Sequence, residues 1–103
     1  MDTKSKILDI AMNLNRIGNW AADDYFAKKK RILTFLNETS ILVNSINSSM
    51  LNQSFNKTFK KFLYEYMKLE KTGKYGPIDT LEWAENMMTW GNILTHRAKL
   101  ITS

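Results

Sequence analysis

Apolar residues recur every three or four positions in successive stretches of the chain, the spacing that turns one face of an α-helix toward a core. In the first stretch Asp2 or Thr3 supplies a cap, and Ile7, Ile10, Leu14 and Ile17 form the stripe. Gly18 and Asn19 predict its end and a sharp corner, Gly as a left-handed C-terminal residue and Asn as the cap of the next helix. Asp23 and Asp24 would then fall in the first turn of that second helix, where negative charge offsets the dipole. The second helix is expected from Trp20 to Ile46, with Ala22, Tyr25, Ile32, Leu36, Thr39, Val43 and Ile46 on its seam and Lys29 interrupting it.

The polar run Asn47-Ser48-Ser49 breaks the pattern, and a third helix follows from Ser54 to Lys71 with Phe55, Phe59, Phe62, Tyr66 and Leu69 on one stripe. Thr72-Gly73-Lys74-Tyr75-Gly76-Pro77 predicts a loop. Asp79 and Glu82 form a capping-box-like pair at the start of a fourth helix that continues to Ile101. Along it Ala84, Met87, Gly91, Leu94, Ala98 and Ile101 repeat strictly, and the small residues, seven apart, predict a closely packed antiparallel neighbour. The expected fold is therefore all-α, an antiparallel bundle of about four helices in a single domain spanning residues 1–103.

Composition narrows the functional classes. Cysteine is absent, which excludes disulfides, thiolate chemistry and Cys-based metal sites and predicts a reducing, cytoplasmic setting. The stretch Met1–Asn19 has no unbroken apolar segment of the secretory kind, and nowhere do about 18 apolar residues run together as a transmembrane span requires. Catalytic and metal motifs are missing. The single histidine, His96, has no Glu-x-x-His partner, and its order in His96-Arg97 reverses the Arg-then-His mark of HEPN ribonucleases. Gly73-Lys74-Tyr75-Gly76 lacks phosphate-loop spacing. No catalytic residue, metal or cofactor is predicted.

What changes the picture is a formal charge of +5. Lys28, Lys29, Lys30 and Arg31 are consecutive, and Lys57, Lys61, Lys68 and Lys71 form a stripe with Tyr64, a pattern suited to phosphates and an unpaired base. The competing reading is a solvated helix face, because Glu65 lies three or four residues from Lys61 and Lys68, and Asp24 lies four before Lys28. The segment 28–46 is also basic and amphipathic, but a membrane-surface role is set aside because Phe26, Leu33, Phe35 and Leu36 are needed for the core.

In the fourth helix Trp83, Met87, Met88 and Trp90 occupy more of the circumference than one neighbour covers, and Trp and Met are enriched at interfaces. The sequence therefore predicts a non-enzymatic helical protein that binds another protein or its own copy, with these four residues either forming that interface or sealing the bundle's own core. Nucleic-acid binding through the basic surface is the second reading, and a small hydrolase or ribonuclease the third.

Overall fold

A computed structural model describes residues 2–101. Among them the chain forms α1 (Thr3–Asp24), α2 (Lys29–Asn44), α3 (Gln53–Tyr75) and α4 (Thr80–Arg97), with 3-10 turns at Ser48–Met50 and Ala98–Leu100. The helices run up, down, up and down. Asn15 and Ala11 of α1 lie beside Gly91, and Gly18 beside Ala84 and Met88, so α1 and α4 are antiparallel and form the closest pair in the bundle. Trp20 meets Phe35 across α1 and α2, Tyr66 reaches the Leu36 carbonyl across α2 and α3, and Phe62 meets Trp90 across α3 and α4. The result is an all-α antiparallel bundle, 39 × 21 × 18 Å along its principal axes.

The core follows the predicted stripes. Ile7, Ile10, Leu14, Ile17, Ile32, Leu36, Phe55, Phe59, Phe62, Ala84, Met87 and Leu94 are all buried. Gly91 and Ala98 are buried too, as the small-residue repeat requires.

The first corner lies elsewhere than the sequence suggested. Helix α1 passes through Gly18 and Asn19 and ends at Asp24. A Cβ at Gly18 would stand 2.8 Å from the Ala84 carbonyl oxygen, so this glycine admits α4 and breaks nothing. Asp23 and Asp24 consequently sit at the C-terminus of α1, where the dipole disfavours negative charge. They serve the turn instead: Asp24 accepts the Ala27 N–H at 3.1 Å and Asp23 pairs with Lys28 at 2.5 Å. That pairing, with the hydrogen bond within it, holds the Asp23 carboxyl below its usual range. Ala22, expected on a seam, is exposed, and Lys29 opens α2 and interrupts nothing.

Helix α3 likewise runs past Lys71 and through Gly73 to Tyr75, stopping at Gly76 with φ +98°. A Cβ at Gly73 would meet Trp83 at 2.6 Å and Leu36 at 2.9 Å, so this glycine too is placed by packing. The carbonyl of Gly73 would ordinarily accept the N–H four residues on, but that residue is Pro77, which has none. The buried Tyr25 hydroxyl donates to it at 2.5 Å and joins the α1–α2 turn to the end of α3. Asp79 caps α4 by accepting the Glu82 N–H at 2.9 Å, as predicted.

Candidate functional site

The residues expected at a protein interface divide on inspection. Trp83 and Met87 belong to the core, with Trp83 donating its indole N–H to the Leu69 carbonyl at 3.0 Å. Met88 is half-buried and fills the space left by the missing Cβ of Gly18, and Trp90 is half-buried against Phe62, ring centroids 5.6 Å apart. Helix α4 is covered by α1 on one flank and α3 on the other, so its apolar breadth is spent within the chain. Trp83 and Met87 are thus buried within the chain, and Trp90 keeps an edge toward an open groove.

The basic residues also divide. Lys28–Arg31 begins α2 at the end of the bundle where Tyr25 meets Gly73, whereas Lys57 and Lys61 lie in the first turns of α3 at the opposite end. The 16 residues from Lys57 to Gly73 correspond to about 24 Å of helix, so Lys57 and Lys61 form no patch with Lys28–Arg31, whereas Lys68 and Lys71 lie within five residues of Gly73. Lys28 is engaged by Asp23, and the Arg31 guanidinium lies over the Trp20 ring at 5.1 Å. The run of cations is therefore partly committed to closing the first corner.

The α3 stripe is different. Among the described residues the ion pairs are Lys28–Asp23 and Lys74–Glu70, so neither Lys61 nor Lys68 pairs with Glu65, and Lys28 pairs with Asp23 instead of Asp24. Lys57, Lys60, Lys61, Lys68 and Lys71 are exposed on α3 without a carboxylate within ion-pair distance. Tyr64 is 64% exposed between them, and the Lys68 ammonium lies 4.2 Å from its ring centroid. Of the ion pairs that decorate an ordinary solvated helix, α3 has Lys74–Glu70 alone among the described residues.

Beside the stripe a groove of about 420 Å³ opens between α3 and α4, lined by Thr58 and Lys61 from α3 and by Trp90, Asn92, Ile93, His96 and Arg97 from α4. Its size falls in the range typical of small-molecule sites. Helical spacing builds it: Trp90, Ile93 and Arg97 recur at three and four residues on the side of α4 nearest α3, with His96 beside them. Its floor is aromatic and aliphatic, its rim carries Lys61 and Arg97, and Asn92, Thr58 and His96 add hydrogen-bonding groups. No carboxylate lines it.

The sequence reading named Lys61 and Trp90 separately and missed that Arg97, His96, Asn92 and Thr58 join them. The signal was present as the three-four spacing of Trp90, Ile93 and Arg97, but which helix lies opposite is fixed only by the fold. Among the described residues no group of three or more His, Asp or Glu is placed to hold a metal, and no helix is long and apolar enough to cross a membrane. No family model, curated protein or solved structure matches the chain.

Proposed function

We propose that the protein acts without catalysis, by binding an anionic polymer, single-stranded nucleic acid, along the outer face of α3 and the groove between α3 and α4. The observation that carries this reading is a row of α3 lysines with no carboxylate partners among the described residues, continued across the groove by Arg97 over an aromatic floor. Phosphates are met by the cations, with release of counterions. Tyr64 and Trp90 offer surfaces to unstacked bases, which favours a single strand over a duplex. His96 and Arg97 also sit in the last turn of α4, where the Arg97 cation stabilises the helix terminus. That structural role is compatible with binding, since both side chains are exposed.

Fluorescence anisotropy with labelled single- and double-stranded oligonucleotides across a salt series tests the proposal. Four phosphate contacts give a log–log slope of about −3 for a single strand. Absence of binding at low salt would remove the reading.

A second reading, association with another protein or a second copy, is favoured by the loop end of the bundle. Phe26 is 73% exposed, Tyr75 83% and Ile78 fully exposed, in the first connection, the last turn of α3 and the third connection, which the Tyr25–Gly73 hydrogen bond holds at the same end. Phe26 had been assigned to the core from the sequence, and its exposure removes the argument that it is needed there. Sedimentation of the wild type against a Phe26→Ser/Ile78→Ser variant tests this reading; a monomer in both cases eliminates self-association through this end.

A further inference from the structure

The groove between α3 and α4 differs from the lysine stripe in being a concave, open depression, apolar at its floor and mixed at its rim. We infer that it is a subsite for one nucleotide of the bound strand, its phosphate on Lys61 and Arg97 and its base on Trp90 and Ile93. This rests on the proposed single-strand binding but adds a discrete pocket to an otherwise sequence-tolerant face.

Each part of the ligand has a counterpart. Lys61 is exposed at the α3 rim and Arg97 at the α4 rim, so cations flank the groove from both helices. Arginine's planar fork meets phosphate oxygens in pairs, and lysine adds a mobile point charge. Trp90 is half-buried against Phe62, which fixes its ring and lowers the entropic cost of stacking a base upon it. Asn92 presents both a carbonyl and an amide, a donor–acceptor pair of the kind that reads an adenine edge, and Thr58 and His96 add further hydrogen-bonding groups. The absence of carboxylates from the lining leaves the cations unopposed there.

Titration of adenosine 5′-monophosphate into the protein, read by tryptophan emission, tests the subsite. The chain holds Trp20, Trp83 and Trp90, so the difference between wild type and Trp90→Phe isolates the relevant ring. The expected result is saturable quenching that is lost in Trp90→Phe, weakened about tenfold in Arg97→Gln, and about tenfold weaker for adenosine, since a hydrogen bond to a charged group contributes about 1.5–3 kcal/mol. Arg97 and Lys61 are exposed, so Arg97→Gln and Lys61→Gln report on the groove in a folded protein even if Trp90→Phe is destabilised. Absence of saturable quenching, or quenching indifferent to both Arg97→Gln and Lys61→Gln, overturns the subsite. If oligonucleotides still bind in that case, the subsite alone has failed; if they do not, the proposed function fails with it.

Discussion

Gly91 of α4 faces Asn15 of α1 so closely that a Cβ at position 91 would lie 2.6 Å from Asn15 Nδ2 and 2.9 Å from the Ala11 carbonyl oxygen. The asparagine can turn aside, but the backbone oxygen cannot move without shifting α1. In an isolated helix Gly→Ala is favourable by about 1 kcal/mol, so local propensity and packing predict opposite signs here. Packing should win: overfilling a close helix contact costs about 1–3 kcal/mol for small additions, and a leucine adds far more volume. Gly91→Ala is expected to lower Tm by several degrees and Gly91→Leu to lower it by more than 10 °C, at roughly 4–8 °C per kcal/mol for a domain of this size. Unchanged melting of Gly91→Leu would refute the tight α1–α4 pair.

Tyr25 and Gly73 supply a second prediction. Replacing Tyr25 by Phe keeps the ring against Trp83, centroids 6.0 Å apart, but leaves the Gly73 carbonyl without a donor, because Pro77 cannot provide one. A buried acceptor left unpaired costs about 1–3 kcal/mol. Chemical denaturation of Tyr25→Phe should show a lowered midpoint with an unchanged m-value, and no change would mean that water replaces the hydroxyl at little cost.

These contacts explain what was legible in the sequence. The stripes of all four helices were readable because periodicity reports burial directly, and the Ala84–Gly91–Ala98 repeat announced a close neighbour before that neighbour was known. Gly18 and Gly73 misled for one reason: a glycine that ends a helix and a glycine that admits another helix look alike until the partner is placed. The first corner is made by Asp24 and Lys28, residues that elsewhere decorate helices, so no glycine or proline marks it. In the candidate site the cations were visible one by one, but the groove joins residues of α3 with residues of α4 29 to 39 positions away, a relationship carried by topology alone.

Tyr66 makes stability depend on alkaline pH. Burial raises its hydroxyl pKa well above the ordinary value of 10.0, the nearby Glu70 adds to the rise, and the Ser40 hydroxyl at 2.8 Å opposes it. Burial also raises Tyr25. Between the unfolded and folded pKa the unfolded chain has released protons that the native chain retains, so stability falls as pH rises. The contribution is whole below about pH 10, where tyrosine is neutral in both states, and is lost above it. Stability measured from pH 8 to pH 11 should fall beyond pH 10, and Tyr66→Phe should flatten that fall while lowering stability at pH 8. An equally steep fall in Tyr66→Phe would assign the effect to other groups.

Phe26 and Ile78 offer a control on the loop end of the bundle. Both are exposed, so truncation removes little packing, and surface substitutions of this kind usually alter stability by less than about 0.5 kcal/mol. Phe26→Ser/Ile78→Ser is expected to melt with the wild type. Phe26 does touch Tyr25, ring centroids 5.4 Å apart, so a drop of several degrees would show that this edge contact supports the corner.

The salt dependence of binding separates a functional cationic face from a solvated one. If Lys57, Lys61, Lys68 and Lys71 each neutralise a phosphate, their replacement by Gln removes most of the log–log slope of about −3. Replacement of Lys28 and Arg31 should change it little, because Lys28 is held by Asp23 and Arg31 lies over Trp20. The slope change per cation removed is the quantity to compare, since removing any cation weakens long-range attraction, but only removing a contacting cation reduces the number of counterions released. Equal slope changes per cation in the two sets of variants would assign the attraction to overall charge and leave α3 with no special part in it.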